Sequence, residues 1–189
     1  GILMRPGSRF AGSLFNGPED AGQWQAVLHG YEDAVRLVGQ GKNKEKSLVE
    51  LDNWWRVELP NIINRDKQMK KEHLIKLMTW KITKGTFRPL MGVLQRNSEE
   101  QVISTTQKAF RSEKAALTHL CELQGVGPAT ASAILAAWRP DLFPFMSDEA
   151  VEGVGLPRKY TAAEYEALAR KLRDKADRLG AGWTAEMVG

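Results

Sequence analysis

Residues 121–138 read CELQGVGPATASAILAAW. Gly125 and Gly127 flank Val126, and Pro128 opens a run of small residues that closes on Trp138. Glycine takes positive φ without steric cost and leaves the backbone around it uncovered. Proline suits the first position of a helix, where its missing N–H loses nothing. The stretch therefore predicts two helices, SEKAALTHLCEL and PATASAILAAW, joined by the turn Leu-Gln-Gly-Val-Gly. Free N–H groups at the start of the second helix, beside the positive end of its dipole, make an anion site fit for a phosphate. Val126 is expected to plug the hairpin core, while Thr130, Ala131, Ser132 and Ala133 let the two helices pack closely. The competing reading is a helical corner whose glycines serve packing alone.

Outward from the hairpin the chain keeps reading as helices punctuated by Gly, Pro and Ser/Asn. NGPEDAGQWQAVLHGYEDAVRLVGQGKN places Trp24, Val27, Leu28, Tyr31, Val35 and Val38 on one stripe and stops at Gly39 and Gly41. KEKSLVELDNWWRVELP carries Leu48, Leu51 and Trp55 at helical spacing and is expected to end before Pro60. Adjacent tryptophans on a helix point about 100° apart, so Trp55 joins that core stripe and Trp54 sits at a boundary. QMKKEHLIKLMTWKITKG turns Leu74, Ile75, Met78 and Ile82 inward and stops at Gly85. In NSEEQVISTTQKAF, Ser98 stands in position to cap, with Glu100 and Gln101 in the first turn. RPDLFPFMSDEAVEGVGLPRKY is mostly loop with a short helix after Ser147, its Phe143–Met146 run anchoring the loop. TAAEYEALARKLRDKADRLG puts Tyr165, Leu168, Ala169, Leu172, Ala176 and Leu179 on one face between Thr161 and Gly180. No alternating strand pattern of useful length occurs. The prediction is an all-α protein, with a flexible or disordered arm over 1–17 and one helical domain over 18–189.

Length and composition agree with that. The 189 residues are enough for one domain with a real core. The single cysteine, Cys121, leaves no internal disulfide, no Cys-based zinc site and no four-Cys cluster, and reads as a buried small residue. The three histidines have no ligand spacing, so no metal site is expected. With no long apolar run and no leader-like segment, a reducing compartment, nuclear or cytoplasmic, is the expectation, with no membrane partner.

The net charge of +4 is unevenly placed. Arg65 to Arg88 holds eight Lys/Arg against two acids, a local +6 that favours a polyanion over the plain alternative of a solvated helix face. His73, Lys76, Trp80 and Lys84 fall on one stripe opposite the Leu74/Ile75/Met78/Ile82 face, with Trp80 expected half-buried. Lys76, Lys81, Lys84 and Arg88 are the candidate DNA-facing basic residues.

The hairpin resembles the helix–hairpin–helix motif, hydrophobic-x-Gly-hydrophobic-Gly followed by Thr-Ala, here Leu123, Gly125, Val126, Gly127, Thr130 and Ala131 within about 113–138. The resemblance extends downstream to the helix–hairpin–helix DNA glycosylases, in which a catalytic aspartate opens the helix after the hairpin. Asp148 stands 23 residues after Gly125. This implies a fold of two helical lobes flanking a cleft, with Gly125, Val126, Gly127, Ala129 and Thr130 on a DNA phosphate. It further implies Asp148, or alternatively Glu149, as the carboxylate that stabilises a cationic sugar or activates water. The lyase lysine of bifunctional members is Ala129 here, so no Schiff-base chemistry is expected. Ser-Asp-Glu-Ala departs from the family pattern, and Asp148 equally suits a helix cap. Turns of this kind often hold a monovalent cation in the proteins resembled; no other cofactor is expected. Three readings stand. The first is a sequence-independent binder of double-stranded DNA without chemistry of its own. The second is a monofunctional glycosylase that excises a damaged base, and the third a helical protein-interaction domain.

Overall fold

The computed structural model describes residues 14–17, 19–85 and 89–189. Among them every regular element is helical. In chain order these are α1 (Ala21–His29), α2 (Tyr31–Gln40), α3 (Glu45–Asn53), a π-helical turn (Trp54–Glu58), α4 (Leu59–Asp66) and α5 (Lys71–Lys84). Then follow α6 (Met91–Leu94), α7 (Glu99–Ala109), α8 (Ala116–Leu120), α9 (Pro128–Trp138), α10 (Asp148–Gly153), α11 (Ala162–Leu179) and α12 (Ala185–Val188). No described helix is long and apolar enough to cross a membrane.

Side-chain caps set five of the described helix starts. Asp20 accepts from Gly22 N at 2.9 Å, Ser147 from Ala150 N at 2.9 Å and Thr161 from Glu164 N at 3.2 Å. Ser98 and Gln101 form a reciprocal capping box at α7, as their spacing predicts.

Three sequence expectations are corrected. The stripe read across 24–38 as one helix breaks at Gly30, so Trp24 and Val35 are buried while Val27 and Val38 stay exposed. At the end of α2, a Cβ on Gly39 would lie 2.5 Å from Glu45 Cα, and glycine is what lets α2 meet α3 so closely. The helix through Trp54 does not end before Pro60. Proline has no N–H for the carbonyl four residues back. The chain absorbs this by widening to a π turn, in which Leu59 N donates to Trp54 O, and it continues into α4. Both tryptophans are buried, so Trp54 joins the core beside Trp55 and does not sit at a boundary. Finally, the expected arm is not wholly separate. Leu14 and Phe15 pack on the core, and the buried Lys175 ammonium lies 5.7 Å from the Phe15 ring centroid. Residues 1–13 lie outside the described residues.

The central element is α9. Thr130 through Ala137 are all buried, and α4, α5, α8 and α11 pack around it. Small side chains make this possible: a helix enclosed on every side needs neighbours within short interaxial distance, which alanine and serine permit. Polar contacts also tie α9 to its neighbours. Trp55 Nε1 donates to the Ala133 carbonyl at 3.0 Å, and Ser132 Oγ accepts from Met146 N at 2.9 Å. The second bond, with buried Phe143 and Met146, ties the loop before α10 to α9.

Candidate nucleic-acid interface

The glycine turn takes the geometry its residues predict. Leu123 and Val126 are buried, and Val126 N closes on Leu123 O at 3.1 Å. Gly125 has φ +76°, and a Cβ there would meet Leu94 N at 3.0 Å and Leu94 Cα at 3.2 Å. The turn is thus pressed against α6 as well as left-handed. Gly127 differs: it caps α9 in extended backbone, is exposed, and a Cβ would find nothing within 4 Å.

Not every candidate offers an amide. Val126 N is spent on Leu123 O and Thr130 N on Gly127 O (2.9 Å). The Thr130 hydroxyl is buried and accepts from Lys81 Nζ at 2.9 Å. The amides of Gly125, Gly127 and Ala129 make no hydrogen bond among the described residues. These three, at the positive end of an 11-residue helix, are the donors left for an anion, so the expected set of five contracts to three.

Asn97, which the sequence reading passed over, holds the turn in place. It is 2% exposed; its Nδ2 donates to Gln124 O (2.9 Å) and Leu94 O (2.7 Å), and its Oδ1 accepts from Gln124 N (2.9 Å). A buried amide with all these bonds made stiffens the loop against α6.

The basic candidates separate. Lys76 is exposed, with its ammonium 4.7 Å from the Trp54 ring centroid. Lys81 reaches the start of α9 through Thr130. Lys84 turns inward, donating to Tyr31 Oη at 3.0 Å and lying 3.9 Å from Asp52. Arg88 lies outside the described residues. Trp80 is fully buried rather than half-exposed on a basic stripe, stacked on Trp55 at 4.2 Å and 16°.

Asp148 begins α10, with Ser147 as the cap. Its Oδ1 accepts from Tyr160 Oη at 2.5 Å and its Oδ2 lies 3.6 Å from Arg158. Glu149 is exposed. The carboxylate is therefore occupied by a hydroxyl and a guanidinium, and Arg158 is shared with Glu152.

A second cluster lies on the other side of Lys81. Asp52, 4% exposed, accepts from Tyr31 Oη and Trp80 Nε1, both at 3.0 Å. Burial and the Asp52 charge push the Tyr31 hydroxyl well above its ordinary range, keeping it a donor. Phe145 stands 5.3 Å from Trp80, and its N–H donates to Glu186 Oε2 at 2.5 Å. Burial pushes the Glu186 carboxyl up to about 7; that amide, Lys84 and Arg56 pull the other way, and Asp52 adds to the rise. Asp52 was legible as an acid on the stripe Leu48, Asp52, Trp55, Leu59, all four of them buried. For Glu186 no sequence signal existed, because its neighbours come from three distant segments. No group of His, Cys, Asp and Glu among the described residues could hold a metal ion. Comparison with protein-family models, curated proteins and solved structures finds no match.

Proposed function

We propose that this chain binds the sugar–phosphate backbone of double-stranded DNA, independently of sequence, through the hairpin at 123–130, in a two-lobed fold of the helix–hairpin–helix glycosylase type. The observation that carries this is the set of unpaired amides at Gly125, Gly127 and Ala129 around a helix start, with Gly127 exposed and the other two half-buried. Phosphate contact supplies affinity without reading bases. Exposed Lys76 adds a diffuse cation, and the hairpin carbonyls are where a monovalent cation would sit.

A chemistry-free role is favoured over excision by one feature: the Asp148 carboxylate is engaged by Tyr160 and Arg158. Fluorescence anisotropy with a labelled undamaged duplex tests the binding. Affinity should fall steeply with salt, since each neutralised phosphate releases counterion. No binding even at about 50 mM salt, where such contacts are strong, would leave the protein-interaction reading. Incubation with damaged-base duplexes followed by alkali tests the chemistry. Strand cleavage lost in Asp148→Asn would replace the favoured reading with a monofunctional glycosylase.

A further inference from the structure

A cavity of about 490 Å³ opens at the C-terminal end of α9, away from the hairpin. Trp138 and Arg139 line it from that end, and residues 110–114 line it from the turn joining α7 to α8. About 15 Å of helix separates it from the glycine turn. Two of its walls are aromatic. Trp138 and Phe110 are half-buried, with ring centroids 5.2 Å apart. Trp138 also lies nearly parallel to the buried Phe143, at 5.8 Å and 15°, which packs against it from the interior.

The charges around the cavity divide into spent and unspent. Arg139 donates to both Asp141 oxygens, at 2.9 and 2.7 Å, and to Glu113 Oε1 at 2.6 Å. Those bonds hold its guanidinium in place and neutralise Glu113, the one acid in the lining, together with the adjacent Asp141. Arg111 and Lys114 differ. Both are exposed, and neither side chain makes a hydrogen bond or ion pair among the described residues. Two uncommitted cations therefore stand beside half-open rings, where the nearby carboxylates already have a partner.

That combination fits a polyanion whose own rings are free to stack. A duplex hides its base faces within the stack, whereas a single strand offers phosphates and uncovered bases together. An acidic peptide would meet the cations and leave the rings bare. Beyond the paired Arg139 and Glu113, the lining offers only the Ser112 hydroxyl to a base edge, so nothing in it reads sequence.

We propose that this cavity is a contact for single-stranded nucleic acid, an unpaired base stacking on Trp138 and Phe110 while Arg111 and Lys114 meet the flanking phosphates. The proposal does not depend on the hairpin.

Anisotropy of the full chain with a labelled oligothymidylate, and with an abasic strand of the same length, tests it. The abasic strand keeps every phosphate and loses every ring. Oligothymidylate should bind more tightly by roughly tenfold, the worth of one stacked base. Trp138→Leu should erase that excess. Arg111→Glu combined with Lys114→Glu should weaken oligothymidylate by about tenfold or more with the melting temperature unchanged, since both positions are exposed. This double variant decides the matter should Trp138→Leu unfold. Equal affinity for the two strands, an excess that survives Trp138→Leu, or full affinity in the double variant overturns the proposal. So does an oligoglutamate peptide that binds as tightly as oligothymidylate, which would mark a general anion surface. Gly127→Ala should lower duplex affinity and leave the excess for oligothymidylate untouched, so the two sites fail separately.

Discussion

Gly125 and Gly127 are two residues apart, and alanine at each should have opposite effects. At Gly125 an L-residue must hold φ +76°, which costs about 1–2 kcal/mol. Its Cβ must also fit 3.0 Å from Leu94 N and 3.2 Å from Leu94 Cα. That opposing backbone is not free to retreat, because Asn97 bonds both Leu94 O and Gln124. Overpacking of this kind costs about 1–3 kcal/mol more. Gly125→Ala should therefore lose about 2–5 kcal/mol, a fall of roughly 5–15 °C in melting temperature for a chain of this size. Gly127 has φ −102° and ψ −178°, open to any residue, with nothing within 4 Å of the new methyl. Gly127→Ala should stay within about 0.5 kcal/mol of the parent. The methyl stands where a phosphate would approach the free amides, so duplex affinity should drop roughly tenfold, one charge-assisted hydrogen bond. Scanning fluorimetry reads the first quantity and anisotropy at fixed salt the second. Undiminished DNA affinity in Gly127→Ala at every salt concentration would refute the phosphate site. Parental stability in Gly125→Ala would refute the packing argument.

Glu186 offers a pH test. Its carboxyl rises from 4.5 to about 7 on folding, so its stabilising contribution is complete below about pH 4.5 and lost as pH climbs through 7. The shift bounds the loss at about 3 kcal/mol, and partial solvent contact lowers it to about 2. Urea denaturation at pH 5 and pH 8 should show this difference in the parent and not in Glu186→Gln; equal slopes in the two proteins would contradict it. Asp52→Ala strands the Tyr31 and Trp80 donors and the Lys84 charge, and should cost about 3 kcal/mol in the same assay, more than Asp52→Asn. Asn97→Ala removes the clamp on Gln124 and should cost about 2 kcal/mol. Amide exchange should quicken at Gln124 first, and unchanged protection there would show the clamp to be dispensable.

Much of the architecture was legible because it rests on local rules. The Ser98–Gln101 box, the Thr161 cap, the stop at Gly85 and the turn around Val126 follow from backbone needs that neighbouring residues meet. Misreadings occurred where a distant contact overrode the local pattern. Trp54 was read as a boundary residue on regular helical geometry, and the fold buries it with Trp55. The stripe across Gly30 was read as continuous, and the chain ends one helix and starts the next there. Trp80 and Lys84 looked like a basic face, yet Asp52, on another helix, draws both inward.

The division has a physical basis. Sequence alone determined that the chain is helical, where most helices begin and end, and that a glycine turn opens α9, because propensity, capping and φ preference act over a few residues. Tertiary structure alone decided which amides of that turn remain free, and that Asp52 lies buried among Tyr31, Trp80 and Lys84. It also brought Glu186 among Phe145, Lys84 and Arg56. Hydrogen-bond satisfaction and desolvation depend on every group that packs nearby, and those groups come from segments up to 134 positions apart, as with Asp52 and Glu186.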